Sequence, residues 1–462
     1  MMMQTGNKAK HIHFVGLGGV GMSGIAEVLI NLGYRVSGSD LKRSDMTDRL
    51  EHLGARVFEG HDATNLKDAD FVVYSAAVSL SNPEIVEAQQ RKIPVIPRAE
   101  ILADLVRIKF GICVTGTHGK TTTTSLIGSV LTQGGRDPTM VVGGKVRSLQ
   151  ANARLGEGKY IVVEADEFDR SFLRLSPSIA VLTTLEAEHM ECYTDLDDLK
   201  SAFLEFANKV PFYGSVILCI DEESLKDIVP RIERSTITYG LTAEADVRAT
   251  DITFVDFHTQ FIISNRTEEI GRVRLPIPGL HNVKNALAAF AVADELEIPF
   301  EAIREGIETF SGVHRRFEMK GTERGITVVD DYGHHPTEIR ATLKGARQGW
   351  DGRIIAIFQP HLYSRTWNFY REFGSSFFEA DVLVVTDIYP AREQRLEGVS
   401  GELVATAAKQ AKHSSVLYIH NMEEIPGVLS TGLKEGDLVI TFGAGDVWKV
   451  GEDLLLKLRE TS

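Results

Sequence analysis

The 462-residue chain is predicted to be an α/β protein of three blocks, and three observations carry that prediction. Short apolar runs alternate with helix-length amphipathic runs, the pattern of βαβ units around parallel sheets. Two glycine-rich turns each follow an apolar run and lead into a helix. Apolar runs in the last third stop abruptly at polar or glycine residues, and parallel sheets hold ligands at that edge. At about 150 residues per domain, the length alone gives roughly three domains.

The first block, residues 1–107, opens with HIHFVGLGGVGMSGIAEVLINLGYRVSGSD: strand, glycine turn, amphipathic helix, and a second strand with an acidic end. DADFVVYSAAV and IPVIPR read as further short buried strands. Gly16, Gly18 and Gly21 fit G-x-G-x-x-G, with Asp40 closing the next strand. Backbone N–H groups and a helix N-terminus would then face a pyrophosphate. That loop alone makes a dehydrogenase the default, yet NAD and a UDP-sugar satisfy the same physics.

The second block, 108–312, starts at a seam near Arg107 to Phe110 with FGICVTGTHGKTTTTSLI. Gly116 and Gly119 let backbone amides approach phosphate oxygens. Lys120 is a point charge for β/γ-phosphates, and the Thr121 hydroxyl suits Mg²⁺. A full Walker A spacing wants a glycine where Val114 stands. Thr121 to Thr124 are poor helix formers, so packing alone hardly explains four in a row. Glu164 ends the strand YIVVE, and His189 follows the next strand. Parallel strands put both on the side of the phosphate loop, where carboxylate, hydroxyl and imidazole can share divalent ions. Taken singly, Glu164 reads equally as a solvated strand end and His189 as a surface or core histidine. Asp166, Glu167, Asp169, Glu186 and Glu188 read as an acidic rim, either solvated or supporting the ligands from behind, rather than as direct ligands. Residues 246–277 alternate apolar and polar, predicting a small antiparallel insertion. His281 and Asn285 share one helix face, where an amide can read an adenine edge or simply pack.

The third block, 313–462, begins near FSGVHRRFE. Arg315 and Arg316 there can reach a phosphate or serve a surface. GITVVDDYGHHPTEI, RIIAIFQPHLYSR, DVLVVTDIYPAR and DLVITFGAGD repeat one device, an apolar strand with a polar or glycine end. His334, His335 and Arg365 sit at these ends.

A formal charge of −14 argues against nonspecific nucleic-acid or anionic-membrane binding. Three cysteines, Cys113, Cys192 and Cys219, show no metal or CxxC spacing, which fits a reducing cytoplasm. The start MMMQTGNKAKHIHF lacks a signal-peptide core, and no apolar run nears the ~20 residues of a membrane span. A cytoplasmic enzyme is expected.

GTHGKTTTTSL, EADEFDRSFL, LEAEHM, GLHNVKNALAA, RRFE and DDYGHHPTEI occur in the order, and at about the distances, of the Mur ligases of peptidoglycan synthesis. HFVGLGGVGMSGIAEVL, FQPHLYSRT and the GAGD ending strengthen the match. The chain resembles that family over nearly its whole length. The resemblance implies a Rossmann-like N-terminal domain for a UDP-sugar, a central P-loop-type ATPase domain with a parallel sheet and small antiparallel part, and a Rossmann-like C-terminal domain that brings the amino acid. Its phosphate loop is T-G-T-x-G-K-T, with no early glycine, so Val114 is no defect.

By the family pattern, ATP would lie on Gly116, Thr117, His118, Gly119, Lys120, Thr121 and Thr122, with His281 and Asn285 at adenine, Arg316 at a phosphate and Asp331 at the ribose. Thr121, Glu164 and His189 would serve Mg²⁺ (or Mn²⁺). The UDP-sugar would meet Gly16, Gly18, Gly19, Gly21, Met22, Ser23, Asp40, Ser75 and Ala76. His334 and Arg365 would stand near the reacting carboxylate or incoming amine, completing a catalytic set with Lys120, Glu164 and His189. Some family members carry a second arginine where this chain has Leu362. Sister ligases place a carbamylated lysine where Leu204 stands, so no carbamate is expected.

The implied reaction phosphorylates the lactyl carboxylate of UDP-N-acetylmuramate with ATP; the amine of L-alanine then attacks the acyl phosphate. No nucleic acid or membrane partner is expected, and monomer and homodimer stay open. Three alternatives stand beside this reading: a muropeptide ligase on the same sugar nucleotide, an NAD-dependent oxidoreductase, and a silent nucleotide-binding regulator.

Overall fold

Every side chain of HIHFV is buried, so the first strand, His11–Val15 (β1), is covered on both faces. Buried parallel strands have that character. The computed structural model describes residues 10–75, 77–147, 151–187, 192–391 and 393–460. With Arg35–Asp40 (β2), Arg56–Glu59 (β3), Phe71–Tyr74 (β4) and Val95–Pro97 (β5), β1 forms a parallel sheet ordered β3-β2-β1-β4-β5. The order reverses between β1 and β4, the place where open α/β sheets leave a crevice. Gly16 and Ser75 follow the two strands that flank it.

A second sheet is built from Phe110–Thr115 (β6), Thr139–Val146 (β7), Ala151–Arg154 (β8), Tyr160–Glu164 (β9), Ile179–Leu182 (β10), Ser215–Cys219 (β11), Ser235–Gly240 (β12), Val247–Val255 (β13), His258–Asn265 (β14) and Glu269–Leu275 (β15). Its order is β15-β14-β13-β12-β11-β10-β6-β9-β7-β8. β6 lies between β10 and β9 and is parallel to both, so the glycine loop after β6 sits between their ends. The expected meander is there as β13 to β15. Its first turn, Asp256–Phe257, has φ 47° and 61°, the left-handed pair of a tight hairpin. The β7–β8 edge was not foreseen, because its glycines broke the alternation.

The third sheet joins Glu318–Glu323 (β16), Ile326–Asp331 (β17), Ile354–Phe358 (β18), Val382–Val385 (β19), Val416–Tyr418 (β20) and Leu438–Phe442 (β21) in the order β16-β17-β21-β18-β19-β20. Only β16 runs antiparallel, at the edge. Phe358 packs on Phe373 and Phe377 at 5.0 and 5.2 Å between ring centres, anchoring the helix Tyr363–Gly374.

The chain divides into two compact units. One holds Met1–Thr250, Ile262–Val273 and Lys284–Ser311; the other holds Asp251–Phe261, Arg274–Val283 and Gly312–Ser462. Within the first, the helix Val20–Asn31 lies against β8: a Cβ at Gly24 would be 3.2 Å from Ala153 Cβ, and Asn152 Nδ2 donates to Val20 O and Ser23 Oγ. In the second, Phe257 at the hairpin tip stacks on Trp350 at 5.0 Å and meets Phe317 at 5.4 Å. That aromatic contact explains why part of the meander groups with the C-terminal sheet.

Candidate functional site

The loop after β6 turns on two glycines. Gly116 has φ 142°, and a Cβ there would meet Thr183 Oγ1 at 2.1 Å; Gly119 has φ 81° and caps the helix Lys120–Gln133. Thr117 N donates to Thr184 O at 3.1 Å, and His118 N to Thr184 Oγ1 at 2.7 Å, so the loop is tied to the end of β10. Thr117 Oγ1 accepts from Glu186 N at 2.9 Å. Thr122 is buried in the first turn of that helix.

Lys120 curls back over the loop. Its Nζ donates to Gly116 O at 2.6 Å and to both Glu167 oxygens at 2.8 and 2.9 Å. Burial disfavours the ammonium, but the carboxylates of Glu167, Asp166 and Glu164 more than offset it and hold Lys120 above the ordinary lysine range. Of the solvated and supporting places left open for the acidic rim, Glu167 takes the second, behind Lys120: it is 1% exposed, and Tyr193 Oη donates to its backbone oxygen. Three residues past Glu164 the chain turns back beneath the loop, which nothing in the local sequence signals. Asp169 does lie in solvent, and Glu186 is half-buried, 3.6 Å from His118 Nε2.

Thr121 Oγ1 stands 3.2 and 3.0 Å from the two oxygens of Glu164, and Gly143 N donates to Glu164 Oε2 at 2.7 Å. A hydroxyl beside a carboxylate is the hard oxygen set that Mg²⁺ takes. His189 and Glu188 lie outside the described residues, as does Ala76. The helix Leu280–Glu295 carries His281 and Asn285, but the division into units falls between them, at Val283 and Lys284. Asn285 Oδ1 accepts from Thr123 Oγ1 at 3.1 Å and backs Gly119, so it braces the loop.

The first glycine loop is held from β2. Ser39 O accepts from Gly16 N at 2.9 Å and Leu17 N at 3.0 Å, and Asp40 Oδ2 accepts from Gly18 N at 2.8 Å. Gly19 caps the helix that carries Gly21, Met22 and Ser23. Ser75 sits across the crevice, its Cβ 3.4 Å from where a Cβ on Gly16 would lie. Sequence reasoning missed Arg98, which follows β5: its Nη1 lies 2.6 Å from the Cβ position of Gly21. An arginine eighty residues from the loop leaves no local signal.

In the C-terminal unit, Arg315 is structural: it donates to Asp330 Oδ2 at 2.8 Å and to Gly443 O at 2.6 Å. Arg316 reaches Glu338 Oε1 at 3.2 Å and lies over the Tyr332 ring. Asp331 accepts from Phe317 N and Gly333 N, both at 2.8 Å; burial pushes its carboxyl up to about 6 against the pull of Arg316. His335 caps the helix Pro336–Gln348 rather than standing free in a loop. His334 Nδ1 is 3.1 Å from Tyr332 O, and its ring meets His361 edge-on at 5.8 Å. Burial, with Arg365 and Arg316, brings His334 down to about 3 against Glu338; burial and Arg365 bring His361 down to about 4. Buried Nη1 of Arg365 has no hydrogen-bond partner among the described residues. Leu362, with φ 68°, caps the helix that carries it. Glu338 and His361 were not foreseen as site residues.

Three family-domain models match the chain: Mur ligase family, catalytic domain, over 11–110; Mur ligase middle domain over 114–293; and Mur ligase, glutamate ligase domain, over 315–445. The chain is 52% identical over 453 residues to the UDP-N-acetylmuramate–L-alanine ligase of Geotalea daltonii, covering 98% of this chain and 99% of the relative. Against the enzyme of that name from Myxococcus xanthus it is 54% identical, with 98% and 96% covered. Among solved structures it is similar to a UDP-N-acetylmuramate–alanine ligase from Thermotoga maritima (TM-score 0.84, 29% identity, 98% and 100% covered). It is also similar to a murein peptide ligase from Psychrobacter arcticus (TM-score 0.70, 25% identity, 97% and 99% covered).

Proposed function

The chain belongs to the Mur ligase family, and from that premise we propose that it joins L-alanine to the lactyl carboxylate of UDP-N-acetylmuramate, the carboxylate taking the γ-phosphoryl of ATP to leave ADP and the amine then displacing phosphate. The observation that carries the reading is identity of 52–54% along essentially the whole chain with relatives of that name. The geometry supports it, because Lys120, Thr121 and Glu164 converge beside one phosphate loop. We read residues 1–107, 108–312 and 313–462 as the sugar-nucleotide, ATP and amino-acid domains. Substrates of this kind are made and used in the cytoplasm, which we infer as the location.

A carboxylate approaching a γ-phosphate meets like charge, roughly 4 kcal/mol per unit pair at ~4 Å and an effective dielectric of ~20. Lys120 supplies a fixed positive charge there. Its donors are taken by Gly116 O and Glu167 in this state, so phosphate oxygens replace one of them when ATP binds. Thr121 and Glu164, joined by His189 on the family pattern, would hold Mg²⁺, which when bound neutralises phosphate charge. Arg98 and the N-terminus of the helix Val20–Asn31 receive the diphosphate of the sugar nucleotide. Arg365, with an unpartnered Nη1, receives the carboxylate of the amino acid. His334 is neutral at physiological pH; with its Nδ1 proton on Tyr332 O, it leaves Nε2 to accept an amine hydrogen. Catalysis on this plan is positioning plus charge neutralisation.

A second reading, a muropeptide ligase, is favoured by the likeness to the Psychrobacter arcticus enzyme. Phosphate release from ATP and UDP-N-acetylmuramate, with no amino acid, L-alanine or a tripeptide, tests both. Release only with L-alanine upholds the proposal, release only with tripeptide supports the second reading, and release with neither removes both.

A further inference from the structure

Beneath the first glycine loop lies a buried polar chain that the proposed reaction leaves unused. Glu84, fully buried, accepts from Ser39 Oγ at 2.5 Å on one oxygen, and from Asn65 Nδ2 at 2.7 Å and Asp62 N at 3.3 Å on the other. Ser39 is the residue whose carbonyl receives the Gly16 and Leu17 amides. The Ser39 hydroxyl gives its proton to a carboxylate, so it accepts from His61 Nδ1 at 2.8 Å. The loop is therefore fastened to β2, and the end of β2 is fastened to Glu84.

His13 Nε2 stands 3.5 Å from Glu84 Oε2, and both side chains are wholly buried. From His13 a line of hydrogen bonds runs outward: His13 Nδ1 to Ser37 Oγ at 2.8 Å, Ser37 Oγ to His11 Nε2 at 2.8 Å, and His11 Nδ1 to Asp68 Oδ1 at 3.1 Å. Asp68 is exposed, and its hydrogen bond to Arg35 holds it below the usual carboxylate range, so it can only accept. Pointing outward, the three links would leave a bare Nε2 lone pair of His13 against the buried Glu84 carboxylate, a costly arrangement. Pointing inward, His11 donates to Ser37, Ser37 to His13 Nδ1, and His13 Nε2–H faces Glu84, with the open end left at solvent-exposed Asp68. The other charged or titratable groups facing this pair are His61 and Asp62 near Ser39 and Glu84, and Asp70, which accepts from His11 N.

We propose that Glu84 is a positioning residue for the sugar-nucleotide loop, acting through Ser39, with the His13 ring buried against its carboxylate. The proposal rests on reading Gly16 to Ser23 as the sugar-nucleotide site. Glutamine at position 84 would set an amide N–H₂ against either the Ser39 hydroxyl or the Asn65 and Asp62 donors, breaking the fastening while keeping the shape.

The test is steady-state kinetics of Glu84→Gln with UDP-N-acetylmuramate, L-alanine and ATP, with hydrogen–deuterium exchange of peptides covering residues 14–23. The expected result is a KM for the sugar nucleotide raised about tenfold, with kcat and the KM for ATP within about twofold, and faster exchange in the loop. Ser39→Ala, which removes one hydroxyl only, should move the same KM in the same direction by less; it also serves if Glu84→Gln does not fold. An unchanged KM for the sugar nucleotide in a folded variant overturns the proposal, as does an equal loss through kcat and the ATP KM. If the wild type turns over no UDP-N-acetylmuramate, the functional reading falls and loop exchange alone decides: faster exchange upholds the fastening, and unchanged exchange sinks it.

Discussion

The two glycine loops are built on the same plan, a parallel strand, a glycine turn and a helix N-terminus, yet they carry different equipment. The loop at Gly16–Gly19 has no cation of its own; Arg98 reaches it from the end of β5, and its amides are spoken for by Ser39 and Asp40. The loop at Gly116–Gly119 carries Lys120 and Thr121 in its own helix and is ringed by Glu164, Glu167 and Asn285. On the function we propose, the first loop would only hold a diphosphate, for which a helix N-terminus and one distant charge suffice. The second would serve a triphosphate that is cleaved, which needs charge that moves little and oxygen donors for a divalent ion.

The sharpest way to break that contrast is Lys120→Ala. Turnover should fall by about 10³-fold or more, the scale of losing a fixed charge in the transition state. Near-normal kcat would take the second loop out of the chemistry. Next in size is a paired glycine test. Gly116→Ala places a Cβ 2.1 Å from Thr183 Oγ1 at φ 142°, so turnover should drop by about 10²-fold. Gly19→Ala, at φ −64° with its nearest neighbour 3.6 Å away, should change the KM for the sugar nucleotide by less than about threefold. Equal effects would erase the distinction between the loops. Arg98→Ala should raise the KM for UDP-N-acetylmuramate about tenfold, the cost of one charged hydrogen bond, while the KM for ATP stays put. A shift in both would mean that the first loop does not act alone.

In the C-terminal unit the readout is stability rather than turnover, and the variable is acid. His334 titrates near 3 when folded and near 6.5 when unfolded, so between those values the unfolded chain binds more protons. Its contribution is fully present above about pH 6.5 and is lost as pH falls toward 3. Urea unfolding of His334→Gln should show a shallower loss of stability over that window than the wild type. An identical slope would mean that the histidine is not held neutral.

Much of this was legible before folding. The strands ending at Glu164, Leu182 and Asp331, and the loop that opens at Gly116, followed from apolar runs and glycine placement, which act over a few residues. For Glu167 the sequence left a solvated and a supporting place open, because an acid between Asp166 and Asp169 carries no mark of burial. Phe257 likewise reads as a hairpin tip, and only its stacking on Trp350 shows that the tip belongs with the C-terminal sheet.

By itself the sequence determined the α/β class, the two glycine turns between strand and helix, and the placing of Lys120, Thr121 and Glu164 at helix and strand ends, since periodicity and turn chemistry are local properties. Tertiary structure decided which acid neutralises Lys120, which arginine reaches the first loop, and that Glu84 and His13 lie beneath it. Those choices depend on residues tens of positions apart meeting in a low-dielectric interior, where an unpaired charge is too costly to leave and each partner must be found across the fold.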